Sequence, residues 1–78
     1  MAGPIKRSVM IAGHSTSVSL EPIFWKALDQ AAAQENIPLN ALVARIDAAR
    51  VATREHHNLA SALRVWLFRR AIGENDSH

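Results

Sequence analysis

The sequence predicts a mainly α-helical domain with a short β-ribbon at its front. Three observations carry this expectation. Ser15 to Leu20 alternates polar and apolar at period two, the pattern of a half-buried strand. Glu21-Pro22 then opens a segment whose apolar residues recur at helical spacing. Finally, no glycine or proline occurs between Leu39 and Ile72, so most of the second half is free to be helical.

Each element follows in order. Residues 1–5 are expected to be a flexible end, punctuated by Gly3-Pro4. Residues 6–20 form the strand region of a domain spanning 6–73. Lys6 to Ile11 reads as one strand, and Ala12-Gly13-His14 can turn or bulge. In Ser15 to Leu20, Thr16, Val18 and Leu20 share one face, and Ser15, Ser17 and Ser19 share the other. Whether the two strands form a hairpin is left open by the pattern. The first helix is expected over 22–35, with Phe24, Leu28, Ala31 and Ala32 inward and Trp25 on the border.

Asn36-Ile37-Pro38 breaks that helix. The second is expected over 39–53, with Leu42, Val43 and Ile46 as its stripe and Leu39 and Ala49 beside it. Its end falls near Glu55-His56-His57-Asn58, where Asn58 is a good N-cap. The third helix follows over 59–72, closed by Gly73. It is apolar on two faces: Leu59, Ala62, Leu63, Trp66 and Leu67 on one, Val65, Phe68 and Ile72 on the other. One face is expected to meet the core and the other a further chain. Residues 74–78 form an acidic tail with Glu74 and Asp76.

Composition narrows the function. The chain has 78 residues, 49% hydrophobic and 21% charged, which suits one small globular domain. Cysteine is absent, which removes disulfides, thiolate metal sites and cysteine nucleophiles. No apolar run is long enough for a membrane span, and no secretory signal is expected at the N-terminus. The net charge is +2, and Lys6 and Arg7 stand without an acid over residues 1–20. This mild basicity is compatible with nucleic acid. A core this small needs support, and with no disulfide a second copy of the chain is favoured.

Catalysis finds no footing. No glycine-flanked nucleophile, phosphate loop or carboxylate pair is present. His56 and His57 are adjacent, so they diverge on a helix, and no metal site or cofactor is expected. Trp25 and Trp66 read as packing residues, and Arg45, Asp47, Arg50, Arg54, Arg69 and Arg70 as solvated ones.

A single alternating strand needs a pairing partner and a cover. An antiparallel pairing with its twin supplies both, burying Thr16, Val18 and Leu20 and turning the serines outward. Such a two-stranded ribbon fits the major groove of DNA.

The segments Ser17-Val18-Ser19-Leu20-Glu21-Pro22, Phe24-Trp25, Leu28 and Ile37-Pro38-Leu39-Asn40-Ala41-Leu42 resemble the ribbon-helix-helix (MetJ/Arc-type) superfamily. Lys6-Arg7-Ser8 and Asn58-Leu59-Ala60-Ser61-Ala62-Leu63-Arg64 resemble a proteobacterial branch with an extended N-terminus and an extra C-terminal helix. The resemblance covers about residues 6–68. It implies an intertwined homodimer whose core contains Thr16, Val18, Leu20, Phe24, Trp25, Leu28, Leu42, Val43 and Ile46. It also implies sequence-specific DNA binding and transcriptional control in the cytoplasm. Ser15, Ser17 and Ser19 map to the groove-facing positions. Pro38, Leu39 and Asn40 map to the helix start that holds a phosphate, where only Leu39 and Asn40 have an N–H to donate. Lys6, Arg7 and His14 are candidates for flanking contacts.

The sequence departs from the family pattern at the ribbon, where three serines stand in place of longer side chains, and at Pro38, which takes a common capping position. These departures sustain an alternative: a protein-interaction module or antitoxin-like partner on the same fold. Val65, Trp66, Phe68 and Ile72 are the candidate further interface, for a protein partner or for assembly beyond a dimer.

Overall fold

The computed structural model describes residues 3–53 and 58–74. Arg54, His56-His57, the expected boundary at 55–57 and most of the acidic tail lie outside the described residues.

The order is β1 (Ile5–Ile11), β2 (His14–Leu20), α1 (Pro22–Gln34), α2 (Leu39–Ala52) and α3 (Leu59–Ala71). The strands form one antiparallel hairpin, from Ile5 opposite Leu20 to Ile11 opposite His14. Ala12 and Gly13 make the connection with φ of 51° and 82°. Positive φ at both central residues is the signature of the type I′ turn, whose twist matches that of the strands. Glycine reaches this conformation freely, whereas Ala12 does so at a cost.

The hairpin gives β2 a neighbour within its own chain, because the Ala12-Gly13 turn folds β1 back onto one of its edges. Val9, Val18 and Leu20 are buried beneath the ribbon. β1 begins at Ile5, one residue earlier than expected, and its Ile5 carbonyl accepts the Trp25 indole N–H at 2.8 Å.

Each helix stops one residue before its expected end, and the residue left over is the C-cap: Glu35, Thr53 and Ile72. Two of the ends close alike. Asn36 takes φ 58°, Ile37 N–H bonds Ala32 O at 3.1 Å, and Asn36 N–H bonds Ala33 O at 3.1 Å. Gly73 takes φ 80°, with Glu74 N–H on Arg69 O at 2.9 Å and Gly73 N–H on Arg70 O at 3.2 Å. Both are Schellman closures, in which the chain turns left-handed and spends its last donors on orphan carbonyls. At the other end of α3, the Asn58 side chain accepts Ser61 N–H at 2.7 Å, as a capping residue should.

α1 starts with Pro22 after Glu21, whose carbonyl accepts from the N–H of Phe24 and Trp25. The Glu21 side chain makes no cap. It bonds Arg64 of α3 at 3.2 Å, fastening the strand–helix junction to the last helix.

The core joins Val9, Val18 and Leu20 to Trp25, Leu28, Ala31 and Ala32 of α1, Leu42, Val43 and Ile46 of α2, and Leu63 and Leu67 of α3. Trp25, expected on the border of α1, is inside, and Phe24 is half-buried. The tryptophan is drawn in by β1, which supplies both the Ile5 carbonyl and the Arg7 guanidinium over its ring. Ala49, expected beside the α2 stripe, is exposed. Asp47 is half-buried rather than fully solvated and pairs with Arg50 at 2.8 Å. Glu35 ties the bundle together at one end, bonding Arg45 of α2 at 2.6 Å and Arg70 of α3 at 3.3 Å.

Candidate nucleic-acid interface

Directly opposed residues of an antiparallel pair point to the same side of the ribbon. The register therefore assembles the outer face from three rungs: Lys6 with Ser19, Ser8 with Ser17, and Met10 with Ser15. All six residues are exposed. Ser15, Ser17 and Ser19 thus share one wet face, joined there by Ser8 and Met10, which sequence reasoning did not place. The missing information was the register, which the two-residue turn at Ala12-Gly13 determines.

Lys6 and Arg7 separate, because successive side chains of a strand point oppositely. Lys6 stays with the serines. Arg7 turns to the other side, 4.5 Å from the Trp25 ring centroid and 3.7 Å from Asp29 Oδ2. Its guanidinium is already engaged within the chain. His14 is exposed beside the turn, opposite Ile11 and out of register with the serines.

The hairpin also sorts the backbone groups. With a two-residue loop, Ile11 and His14 exchange hydrogen bonds, and every second rung does the same. The N–H and C=O groups of Lys6, Ser8 and Met10 then face away from β2, and those of Ser15, Ser17 and Ser19 face away from β1. On the β1 side, Met10 N–H donates to the Asn40 Oδ1 at 3.0 Å. No hydrogen bond among the described residues occupies the β2 side.

Asn40 sits in the first turn of α2, so this bond brings the helix start beside the ribbon. Ala41 and Leu42 N–H are taken by Pro38 O at 3.0 and 3.2 Å. Leu39 and Asn40 keep N–H groups with no intrahelical acceptor, and no acidic residue stands in this turn. The end carries the partial positive charge of the helix dipole. The Leu39 side chain packs on the core, so only its backbone is on offer.

The remaining predicted residues lie away from this face. Val18, Leu20, Trp25, Leu28, Leu42, Val43 and Ile46 are buried within one chain, and Thr16 and Phe24 are half-buried. Trp66 packs against the core, with the Arg70 guanidinium 5.5 Å from its ring centroid. Val65, Phe68 and Ile72 are exposed on α3. Among the described residues, no cluster of histidine and carboxylate side chains converges as a metal site. No helix among them is long and apolar enough to cross a membrane.

No curated protein and no solved structure matches the chain. A family model described as a ribbon-helix-helix domain does, over residues 4–71. Such domains typically form dimers and bind DNA as transcription regulators or antitoxins. The matched span takes in the hairpin and all three helices, and with the ribbon leading directly into α1 and α2 the chain belongs to the ribbon-helix-helix family.

Proposed function

We propose that this chain is a sequence-specific DNA-binding regulator, acting as a homodimer on double-stranded DNA in the cytoplasm. The observation that carries the reading is the Asn40–Met10 hydrogen bond. It holds an exposed face of four serines, Lys6 and Met10 beside a helix start with two free N–H groups. The first can meet base edges in a major groove, and the second can meet a phosphate of its wall.

The ribbon that enters the groove is the hairpin of a single chain. Two strands about 4.8 Å apart fit a groove about 12 Å wide. Ser15, Ser17 and Ser19 reach base edges with single hydrogen bonds, while Lys6 supplies charge at the ribbon's open end. Phosphate contacts make the binding salt-sensitive through counterion release.

A second reading is supported by the exposed apolar side of α3 at Val65, Phe68 and Ile72. On it the chain is a protein-interaction module or antitoxin-like partner, and its DNA contact is weak.

Random-sequence DNA selection at low and near-physiological salt tests the two. An enriched motif that survives the higher salt supports the regulator. Binding lost uniformly as salt rises, with no motif, overturns it in favour of the second reading.

A further inference from the structure

The outer face of the ribbon is polar with one exception. Its rungs carry Lys6, Ser8, Ser15, Ser17 and Ser19, and Met10 opposite Ser15. Met10 is 50% exposed, an apolar side chain on a face where every neighbour offers a hydroxyl or an ammonium. It has no side-chain donor, and its sulfur is only a weak acceptor. It also lies on β1, outside the β2 positions to which the family resemblance assigns groove contact.

The surroundings of Met10 fix its place and its reach. Its backbone N–H is held by the Asn40 Oδ1 at 3.0 Å, on the side where α2 begins. Ile11 and His14 form the hydrogen-bonded rung next to the turn, so Met10 and Ser15 form the alternate kind, in which opposed side chains stand closer. A serine hydroxyl ends one bond beyond Cβ, whereas the methionine methyl ends three bonds beyond it. Met10 therefore reaches further from the sheet than the serines around it, and its unbranched thioether adapts to what it meets.

In a major groove the base edges offer hydrogen-bond donors and acceptors, and one apolar group that projects from them, the C5-methyl of thymine. That methyl is the feature a side chain of this chemistry can bury against. The Ser15 hydroxyl on the same rung can bond either base of the same pair.

We propose that Met10 is a specificity-determining residue that recognises the thymine methyl and, with Ser15, selects a thymine–adenine pair. The inference rests on the DNA-binding reading and deepens it by naming a base and the residue that reads it.

The test starts from a duplex enriched by random-sequence selection with the full chain. Deoxyuridine then replaces its thymines one at a time; uracil keeps thymine's hydrogen-bonding groups and lacks only the methyl. By fluorescence anisotropy the wild type is expected to lose about fourfold in affinity at one thymine of each copy's site, the worth of one methyl left in water. Met10→Ala keeps the backbone N–H that Asn40 takes, so its far-UV circular dichroism spectrum is expected to be unchanged. It is expected to bind the thymine duplex about fourfold more weakly and to be indifferent to uracil at that position. Met10→Leu keeps an apolar side chain of similar volume and is expected to keep most of the discrimination. A motif without thymine, a duplex indifferent to uracil at every position, or a uracil effect that persists in Met10→Ala overturns the proposal and leaves the DNA reading standing. Failure to enrich any motif overturns the DNA reading itself, and the proposal with it.

Discussion

Asn40 and Met10 lie 30 residues apart, and the Asn40 Oδ1 accepts the Met10 backbone N–H at 3.0 Å. Met10 offers this donor because its rung leaves N–H pointing off the outer edge of β1. One side chain thereby occupies part of an exposed strand edge and fixes where α2 begins relative to the ribbon.

Two substitutions separate these roles. Asn40→Ala removes the acceptor and is expected to cost about 1 kcal/mol of stability, with weaker DNA binding as the ribbon loosens. Asn40→Asp keeps an acceptor and places a carboxylate at a helix start, where it is tolerated or favourable. It is expected to hold stability while repelling the phosphate. Denaturant midpoints and fluorescence anisotropy with a selected duplex check the pair.

Ser17 stands in the middle rung of the outer face, opposite Ser8. Ser17→Ala is expected to change stability by less than about 0.5 kcal/mol, since the residue is exposed. It should relax base preference at one position by about 1 kcal/mol. A selection profile superimposable on that of the wild type would remove Ser17 from the groove-facing set.

Ala12 holds φ 51° in the turn, a conformation that an alanine side chain resists and asparagine tolerates. Ala12→Asn creates the Asn-Gly pair that type I′ turns prefer. The expected gain is about 0.5–1 kcal/mol, read as a rise of about 2–8 °C in the melting temperature.

The Glu21 carboxyl is held below its ordinary value of 4.5, first by its own backbone N–H; desolvation opposes this, and the hydrogen bond and charge of Arg64 add to the lowering. The folded chain therefore binds fewer protons there than the unfolded chain. The contribution to stability is present above the unfolded value and lost as pH falls through the folded one. Glu21→Gln is expected to flatten the acid limb of stability below pH 4.5 and to leave its slope unchanged above about pH 6. Urea midpoints across a pH series measure this.

The helices were legible in the sequence because their signals are local. Pro22, Asn58 and Gly73 mark ends, and the stripes at Leu42, Val43 and Ile46 and at Leu63 and Leu67 mark inward faces. The serine face of β2 was legible too, since alternation needs only one strand. The composition of the whole outer face was not. It depends on register, which turned Arg7 inward to Trp25 and brought Ser8 and Met10 beside Ser17 and Ser15. Trp25 was misplaced for a related reason: its burial comes from β1, distant in sequence and invisible to helical periodicity. The Asn40 bond to Met10 likewise joins segments that no short motif connects.

The hairpin has a kinetic consequence. A ribbon made from two strands of one chain closes by a short local loop, an event of microseconds rather than of molecular encounter. Closure of the hairpin is therefore unimolecular, at a rate indifferent to protein concentration.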